Sequence, residues 1–511
     1  MQNHSENTKR IAKNTLMLYG RMLFSMVVSL YTSRVVLNTL GVVDYGIYGV
    51  VGGFVAMFSL ISSSLSSAVS RFLTFELGRG DKERLNKAFS TSLLIHIVLA
   101  IVVFIVAETL GVWFVNNKMT IPADRLYAAN WVFQASILSF MFGLFSVPYN
   151  ASIVSHERMS AFAYIGILDT TLRLMVVLFI AYSSWQFDKL IVYSMLLVAV
   201  SISLQCIYLI YCRKHFEECR LRISFDKEFW KEISAFAGWN FIGCTAQLLK
   251  DNGVNILLNI FNGPVLNAAR GIATSVNTAV SSFAGSFMTA LNPQITKSYA
   301  SGDYEYMMFL VERGSRFSFY ILMILAFPII LETDYILSLW LVQFPAHTVN
   351  FVRLVLILSL IDAISNTLIT VQLATGRIKN YQLAVGGVLL LNFPLSYICL
   401  KLSLPPESIY IVAIQVSLFC LILRLFFLKY MVGISIIRYL RNVVINVFVV
   451  SFVAIFIPYI IHVAMDYGMF RFITVAVTSV LCSLVSIYVV GCSKLERKRI
   501  LSEISFIKNE L

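Results

Sequence analysis

The feature that most constrains the fold of this chain is a succession of long apolar runs, which begins at Leu16 and continues almost to the C-terminus. Only 13% of the 511 residues are charged, whereas soluble domains contain about 25% charged residues. Hydrophobic residues make up 58% of the chain, and the mean hydropathy is +0.79. Because a helix of about 20 apolar residues crosses the hydrocarbon core of a bilayer, the sequence predicts an all-α integral membrane protein without a separate soluble domain.

Division of the apolar sequence at its polar breaks predicts about 14 transmembrane helices. One break is the FNGP sequence at Phe261–Pro264, where glycine and proline are expected to end one helix and start the next. The predicted spans are 14–37, 44–72, 89–115, 125–150, 161–183, 190–211, 235–260, 265–290, 314–338, 350–373, 381–401, 408–428, 443–462 and 472–491. An even number of spans places both termini on the same side of the membrane.

The distribution of the 40 Lys and Arg residues predicts the orientation of the chain. With the N-terminus inside, most of them fall in cytoplasmic segments such as 78–87, 213–222 and 494–499. Cytoplasmic loops of membrane proteins carry such an excess of basic residues, so we expect both termini in the cytoplasm. The net charge of +13 then reflects residues that flank the membrane rather than a nucleic-acid partner.

The sequence lacks the motifs of common soluble active sites. It contains no phosphate-binding glycine loop, no dinucleotide fingerprint and no zinc-type spacing of cysteine and histidine. Cys212, His215 and Cys219 are close in sequence, but their spacing fits no common metal site, and we interpret them as part of a solvated loop. We therefore expect neither enzymatic activity nor a metal or organic cofactor.

Two pairs of similar segments indicate an internal duplication. LNTLG at 37–41 and GRGD at 78–81 are followed about 221–222 residues later by LNIFNG and ASGD, and the sequences around Arg158 and Arg377 match at nearly the same offset. Six predicted helices separate the copies, so the two copies have the same orientation, an arrangement found in transporters.

The duplication predicts two six-helix lobes followed by two additional helices. We place the N-terminal lobe at 1–211, the C-terminal lobe at 212–429, and the two additional helices with a cytoplasmic tail at 430–511.

Charged residues inside the predicted spans require an explanation, because each costs roughly 2.5–3.5 kcal/mol on insertion scales. Asp169 and Arg173 are one helical turn apart and can neutralise each other. Cations without an acidic residue three or four positions away are Arg21, Arg34, Arg71, Lys250, Arg270, Arg353 and Arg424. Those near span ends can extend to the lipid headgroups, which leaves Arg21, Lys250 and Arg270 as the deeper ones.

Polar side chains accompany the deep cations at helical spacing, on one face of each of three predicted spans. These polar stripes contain Asn14, Arg21, Ser25, Ser29 and Thr32 in the first span, Asn240, Gln247, Asp251 and Asn255 in the seventh, and Asn267, Arg270, Thr274, Asn277 and Ser281 in the eighth. A buried unpaired cation needs a counter-charge, which close packing of small residues does not supply. The stripes therefore predict a water-filled cavity for an anionic ligand.

We assign two groups of residues to this cavity. The candidate substrate-binding residues are Arg21, Lys250, Arg270, Arg173, Asn267, Thr274 and Asn277. The candidates for coupling to a proton or sodium gradient are Asp169, Asp251, Asp362 and Glu108, with a purely structural ion pair as the alternative for each.

The N-terminal sequence resembles a known family. SRVVLNTLGVVDYGIYGVVGGF at 33–54, the serine-rich second span and RFLTFELGRGD at 71–81 resemble the opening of bacterial O-antigen and capsule flippases. These flippases belong to the multidrug/oligosaccharidyl-lipid/polysaccharide (MOP) exporter superfamily. The span count and the repeat extend the resemblance over most of the chain. It implies a V-shaped bundle of two lobes, in which the first, second, seventh and eighth helices line a central cavity.

The resemblance also implies a function. The expected substrate is an undecaprenyl-pyrophosphate-linked oligosaccharide, moved between leaflets of the bacterial inner membrane by alternating access, with membrane lipid, a polysaccharide polymerase and glycosyltransferases as partners. Its pyrophosphate would be the counter-charge of the cavity cations. Asp44, Tyr45 and Gly46 match the motif, and we expect them to serve the outer turn between the first two helices.

Three alternatives remain open at this stage. A flippase for peptidoglycan precursors also needs a cationic cavity. A cation-coupled multidrug exporter would be expected to carry mainly acidic cavity residues. A membrane scaffold for polysaccharide assembly would not transport at all, and it would tolerate loss of the polar stripes.

Overall fold

A computed structural model of the chain consists of α-helices and connecting turns, with no β-strand among the described residues. The described residues are 2–117, 119, 121–183, 187–220, 226–341, 343–494 and 496–497, and the side chains of 2–9, 42, 50, 54, 56, 251, 252 and 264 are not included. The predicted fold class, an all-α membrane protein, is confirmed.

The helices follow the chain in order. The first nine are α1 (Gln2–Ala56), α2 (Ser59–Arg79), α3 (Lys82–Val106), α4 (Val112–Asn117), α5 (Leu126–Ser155), α6 (Met159–Tyr182), α7 (Lys189–His215), α8 (Lys227–Asn262) and α9 (Pro264–Ala300). The others are α10 (Tyr304–Leu331), α11 (Thr333–Trp340), α12 (Thr348–Thr375), α13 (Lys379–Leu390), α14 (Asn392–Lys401), α15 (Ser408–Val432), α16 (Ile436–Tyr439), α17 (Asn446–Ala464) and α18 (Met469–Ser486). Turns of π-helix lie at Ala107–Gly111, Leu440–Ile445 and Ile487–Gly491, and 3₁₀ turns lie at Ala123–Arg125 and Glu217–Cys219.

Every predicted span falls on a helical segment, and 11 described segments are long and apolar enough to cross a bilayer. Three predicted spans are outside this set. The second lies on the last part of α1 and on α2, the seventh lies on α8, and the eighth lies on α9. These helices are not short, since α8 and α9 contain 36 and 37 residues. They contain the serine-rich span and two of the polar stripes, and these polar side chains lower their hydropathy.

Glycines with left-handed backbone conformation separate the first two helices of each copy of the repeat. Gly41 has φ 80° and ψ 169° and kinks α1 between the first two predicted spans. Gly263, which lies 222 residues later with φ 78°, follows the last residue of α8, and Pro264 then begins α9. The FNGP break is therefore confirmed, because glycine adopts positive φ without strain and proline is tolerated at the first helical position.

A second matching pair lies where the GRGD and ASGD sequences occur. Gly80 and Gly302 both have positive φ, 75° and 78°, and they too are 222 residues apart. The aspartate after each glycine, Asp81 or Asp303, caps the next helix by accepting a hydrogen bond from the backbone N–H three residues later. Two turns of the predicted repeat thus have matching backbone conformations in both copies, and the duplication as a whole stays a prediction.

The chain forms two compact units by its internal contacts. Unit 1 comprises Met1–Cys244 and Thr296–Gly302, and unit 2 comprises Thr245–Ile295 and Asp303–Leu511. The divisions lie inside α8 and α9, so each of these helices contributes to both units. The lobes at 1–211 and 212–429 and the C-terminal addition at 430–511 are divisions made at loops, and they stay a prediction.

Unit 1 is built around α5, which packs against α1, α2, α3 and α7, while α1 also packs along α6. Val132, Phe133 and Ile137 of α5 are fully buried in its main core together with Val115 and Leu190. Burial of these side chains fixes the positions of α1 and α7 against α5. Val177 and Ile180 of α6, which carries Asp169 and Arg173, are buried in another core cluster with Val36 of α1.

In unit 2, α12 packs against both α10 and α15, and the C-terminal pair α17 and α18 packs against α10. The buried Tyr439 hydroxyl donates to the Ile364 carbonyl oxygen at 2.8 Å, which fastens the start of the C-terminal segment to α12. Outward-facing side chains of α17 such as Phe448 and Phe452 are more than 60% exposed, as expected for a surface in contact with lipid.

Candidate functional site

A polar cavity of about 330 Å³ lies within unit 2 and contains several of the predicted binding residues. The side chains that carry its polarity are Gln247, Lys250 and Asn255 of α8, Arg270, Thr274, Asn277 and Thr278 of α9, Ser359 and Asp362 of α12, and Asn392 and Tyr410. The structure therefore brings together Lys250, a predicted deep cation of the seventh span, and Arg270, Thr274 and Asn277 of the eighth-span stripe. Asp362, a predicted candidate for ion coupling, lines the same cavity.

Helical periodicity explains why α9 contributes so many polar groups. Arg270, Thr274 and Asn277 recur at three and four positions, so they project from one face of the helix. The Asn277 carboxamide oxygen accepts hydrogen bonds from Ser359 at 2.6 Å and from Ser281 at 3.3 Å. The Ser359 bond holds the face of α9 against α12 at the side of the cavity, and the Ser281 bond lies within α9.

Lys250 and Asp362 form the one ion pair of this cavity among the described residues. The Lys250 Nζ and Asp362 Oδ2 atoms are 4.0 Å apart, the Lys250 side chain is 4% exposed, and that of Asp362 is 42% exposed. The Ser417 hydroxyl also donates to Asp362. Two cations and one carboxylate among the described lining side chains leave an excess of one positive charge.

Arg270 supplies that excess. Its Nη1 atom is buried and has no hydrogen-bond partner among the described protein atoms. Leaving a charged donor unsatisfied costs more than the roughly 1–3 kcal/mol typical of a neutral one, and the cost is greater where the dielectric constant is low. The Arg270 guanidinium can therefore bind an anion that enters the cavity.

Arg424 is a further buried cation of unit 2, and the sequence had predicted a different environment for it. Its position near a span end predicted extension towards the headgroups, but the residue is 8% exposed and its Nε donates to the Tyr381 hydroxyl at 3.1 Å. The expectation was wrong because α15 is packed against α13 on this face. In the sequence, the one feature that set Arg424 apart was that no Asp or Glu lies three or four positions away to pair with it on its own helix.

A second cavity, of about 460 Å³, lies within unit 1. Its lining includes Tyr48, Gly52 and Val55 of α1, Ser62 of α2, Ser136, Ser139, Phe140 and Gly143 of α5, Arg173 of α6, and Ser194 and Ser201 of α7. Arg173 Nε donates to Asp169 Oδ1 at 2.7 Å, as their spacing predicted. Their side chains are 46% and 36% exposed, so this pair is accessible rather than sealed in the core.

Arg21 lies against α6 within unit 1, and it is not among the described residues that line the unit 1 cavity. Its guanidinium carbon is 4.3 Å from the centre of the Phe162 ring. Its side chain also occupies the space beside Gly166, where an added Cβ would meet the Arg21 Cδ at 2.7 Å. Ser25 of the same stripe pairs with Thr170 at 3.0 Å. Arg21 and Ser25 of this stripe therefore mediate packing of α1 on α6.

The remaining predicted residues occupy separate positions. Asn267 is outside the lining of the unit 2 cavity, although its Oδ1 atom is buried and has no described partner. Glu108 is in the π-helical turn after α3, and its Oε1 is likewise buried and without a described partner. The side chain of Asp251 lies outside the described residues.

Cys212 and Cys219 are buried, so the expectation of a solvated loop was wrong for these two residues. Their thiols lie near the Tyr149 carbonyl oxygen and the Ser152 hydroxyl, at 3.5 and 3.7 Å. The ring of His215 stacks instead on Tyr211, with centroids 4.3 Å apart. Within the described part of the chain, no group of three or more His, Cys, Asp and Glu side chains is arranged to hold a metal ion.

An ionic cluster joins helix ends within unit 1 and explains the Asp44 motif residue. Arg125 Nε donates to Asp44 at 2.8 Å, and Arg125 Nη1 contacts Asp188 at 2.5 Å. Asp188 in turn caps α7 through the backbone N–H groups of Leu190 and Ile191. Asp44 therefore connects helix ends within unit 1, and it is not among the lining residues of either cavity.

The family described as "Polysaccharide biosynthesis protein" matches residues 9–299 of the chain. Among curated proteins, the uncharacterized membrane protein EpsK of Bacillus subtilis (strain 168) is 21% identical over 299 residues. That alignment covers 58% of this chain, and the chain spans 58% of the length of EpsK.

Solved transporter structures share the fold. A structure of MATE in the straight conformation superposes with a TM-score of 0.72 at 12% identity and covers 84% of this chain and 96% of its own. A MOP superfamily transporter from Pyrococcus furiosus, described as having a binding pocket of reversed polarity, gives a TM-score of 0.69 at 12% identity, with 83% and 96% covered. The chain is thus a multi-pass membrane protein that belongs to the polysaccharide biosynthesis protein family and has the fold of the MOP superfamily transporters.

Proposed function

We propose that this protein moves undecaprenyl-pyrophosphate-linked oligosaccharides across the bacterial inner membrane for the synthesis of a surface polysaccharide such as O-antigen or capsule. The observation that carries the proposal is the excess positive charge of the unit 2 cavity. Arg270 presents a buried, unpartnered Nη1 atom there, and Lys250 lies on the same lining. A pyrophosphate group supplies the negative charge that the described lining lacks.

The chemistry of the two cations favours a phosphate ligand. A guanidinium presents several N–H donors in a planar fork that matches phosphate oxygens, and a lysine ammonium adds a second point of attraction. Lys250 is 4% exposed and the Arg270 Nη1 atom is buried, and charge interactions of buried groups are stronger than those in bulk water. A cationic drug would instead meet net repulsion, because Asp362 is the single carboxylate among the described lining residues and already lies near Lys250.

Asp362 links anion binding to the driving ion. Its carboxylate is 4.0 Å from Lys250 and accepts a hydrogen bond from Ser417. An entering pyrophosphate competes with Asp362 for Lys250, and a proton or sodium ion then replaces Lys250 as the partner of the carboxylate. In this alternating-access cycle no covalent bond is made or broken, and both termini stay in the cytoplasm.

The direct test measures pyrophosphate binding to the purified protein in lipid nanodiscs. Arg270→Glu is expected to abolish binding, Arg270→Lys to retain part of it, and Lys250→Met to weaken it. Arg34→Glu is the matched control, since Arg34 is exposed and does not line the unit 2 cavity. Equal pyrophosphate affinity in wild type and a correctly folded Arg270→Glu variant would exclude Arg270 as the anion ligand.

The same variants test the function in cells. Deletion of the gene is expected to abolish one surface polysaccharide and to leave its lipid-linked repeat units on the cytoplasmic leaflet. Arg270→Glu should fail to restore export at normal membrane abundance, whereas Arg34→Glu should restore it. Normal surface glycan in a deletion strain that has no second flippase would contradict the proposal.

A flippase for peptidoglycan precursors is the second candidate, because a lipid-linked pyrophosphate also fits the cationic lining around Lys250 and Arg270. The deletion distinguishes the two functions. Loss of a surface polysaccharide in intact cells supports the first, whereas lysis with accumulated cell-wall precursor supports the second.

A further inference from the structure

The unit 1 cavity has a different chemistry from the unit 2 cavity. Its one described cation, Arg173, is neutralised by Asp169 at 2.7 Å. Its other polar lining groups are hydroxyls, from Tyr48, Ser62, Ser136, Ser139, Ser194 and Ser201. The cavity thus has no net charge among the described lining groups and their ionic partners, so it does not favour an anion.

Three serine hydroxyls of this cavity already use their protons, so towards a ligand they act as hydrogen-bond acceptors. Ser136, Ser194 and Ser201 donate to backbone carbonyl oxygens of their own helices, at 2.7, 2.8 and 3.0 Å. Each hydroxyl oxygen keeps lone pairs that can accept a further hydrogen bond. Arg173 uses its Nε for Asp169, which leaves Nη donors. A ligand with many hydroxyl groups can donate to the serines and accept from Arg173.

Aromatic side chains add apolar faces to the same cavity. Tyr48 and Phe140 belong to the lining, and Tyr48 is held by an edge contact with Tyr193, whose ring centroid is 5.1 Å away. Sugar rings combine C–H faces that pack on aromatic rings with hydroxyl edges that form hydrogen bonds. A lining that offers both features in one space suits them better than it suits an apolar drug.

Glycines keep this cavity open rather than bringing helices together. A Cβ added at Gly143 of α5 or at Gly52 of α1 would meet no atom within 4 Å. Close helix packing through small residues would place a neighbouring backbone there, as it does at Gly78, where an added Cβ would lie 2.9 Å from the Lys297 Cα. The volume of about 460 Å³ is within the usual range of ligand pockets, about 300–1,000 Å³.

We propose that the unit 1 cavity is a binding site for an uncharged saccharide, held by the serine hydroxyls, Arg173 and the rings of Tyr48 and Phe140. The inference rests on the proposed function in one respect, namely that the saccharide is the glycan part of the transported lipid. In this proposal the neutral and the charged parts of the substrate are recognised by different cavities. The neutral cavity of unit 1 selects the sugar, and the cationic cavity of unit 2 binds the pyrophosphate.

The test fills the cavity without disturbing the packing around it. Gly143→Leu and Gly52→Leu place a side chain into open space from two different helices, so the proposal stays testable if one variant misfolds. Gly20→Leu is the control, because Gly20 also has nothing within 4 Å of an added Cβ and does not line the cavity. Unchanged thermal unfolding of each purified variant establishes that it is folded.

Two probes are measured by NMR on the full-length protein in nanodiscs: inorganic pyrophosphate, and the phosphate-free repeat-unit oligosaccharide released from the host's own surface polysaccharide. Gly143→Leu and Gly52→Leu are expected to weaken oligosaccharide binding by about tenfold or more, equal to about 1.4 kcal/mol. Pyrophosphate binding should be unchanged in both variants, and Gly20→Leu should match wild type for both probes.

The outcomes separate the saccharide site from the proposed function. Oligosaccharide affinity unchanged in a folded cavity-filling variant would overturn the saccharide site, as would wild-type protein that binds pyrophosphate but no oligosaccharide. Wild-type protein that binds oligosaccharide but no pyrophosphate would overturn the anion site and leave the saccharide site standing. If neither probe binds, both proposals fail.

Discussion

Lys297 Nζ lies 2.6 Å from Glu157 Oε1, so the last turns of α9 are fastened to the turn between α5 and α6 within unit 1. The Glu157 side chain is 1% exposed and also contacts Arg10 Nε at 2.9 Å. One buried carboxylate therefore joins three segments that are distant in sequence. Replacement of one partner of such a buried group is costly, because it leaves the others without compensation.

We expect Glu157→Gln to destabilise the protein by about 3 kcal/mol, at the low end of the range for a broken buried pair, because Arg10 and Lys297 can regain some water. The matched control is Glu217→Gln. Glu217 pairs with Lys82 at 3.1 Å, but their side chains are 71% and 81% exposed, so the loss should be at most about 1 kcal/mol. Thermal unfolding of the purified variants measures both. Equal effects would show that burial does not decide the contribution of Glu157.

Gly78→Ala should also destabilise unit 1. An added Cβ would lie 2.8 Å from the Ala300 Cβ and 2.9 Å from the Lys297 Cα, so α2 and the end of α9 must separate. Overpacking of this kind costs about 1–3 kcal/mol. Gly53→Ala is the control, since a Cβ there meets nothing within 4 Å and alanine is favoured over glycine in helices by about 0.5–1 kcal/mol. The thermal stabilities should shift in opposite directions, and a shift in the same direction would contradict the packing argument.

Asp169 and Arg173 are expected to be energetically coupled. Arg173→Ala leaves a carboxylate without its partner 2.7 Å away, and membrane abundance should fall. The double substitution to alanine removes both charges and should recover most of that abundance, with a coupling energy of about 0.5–3 kcal/mol for residues in contact. If the double variant recovers abundance but not export, Arg173 has a role in transport beyond the pair. Additive losses of abundance would show that the two residues act independently.

The ionic cluster at Asp188 predicts a dependence of stability on pH. Burial opposes ionisation of Asp188, but hydrogen bonds and charge attraction from Arg125, with help from backbone N–H groups, outweigh it and lower the pKa of the carboxyl. A group whose pKa is lowered on folding contributes stability above its unfolded pKa, about 3.9 for aspartate. That stability is lost as the pH falls through the lowered pKa.

The measurement follows the thermal unfolding of the purified protein from pH 7 down to pH 3. Asp188→Asn removes the charge and keeps a residue that caps helices well. We expect this variant to be less stable than wild type at pH 7 and to lose less stability below about pH 4. Parallel curves for the two proteins would show that Asp188 does not contribute to the acid sensitivity.

The proposed orientation predicts the behaviour of a reporter enzyme that is active only outside the cytoplasm. Insertion after Ala346, in the loop before α12, should give activity. Insertion after Asp81 or Gly302, at the equivalent turns of the two copies of the repeat, should give none, because the proposed orientation places both loops on the cytoplasmic side. Activity after Gly302 would contradict the orientation and the parallel arrangement of the two copies.

The positions of the membrane-crossing helices were predictable from the sequence, because the bilayer sets their length and the chain satisfies its own backbone hydrogen bonds within each helix. The glycine and proline turn at Phe261–Pro264 and the capping aspartates are equally local signals. The spacing of Arg270, Thr274 and Asn277 likewise placed them on one face of α9, since helical periodicity depends only on residues within a few turns.

Tertiary structure alone decided which polar faces meet. The stripes that contain Arg21 and Arg270 look alike in sequence, yet Arg21 packs on Phe162 of α6 whereas Arg270 lines a cavity with Lys250. Asp362 and Ser417 come together from α12 and α15. The side chains that share a cavity depend on how helices cross and rotate against one another. Those crossing and rotation angles result from the packing of core side chains over the whole unit. They cannot be predicted from a local sequence pattern.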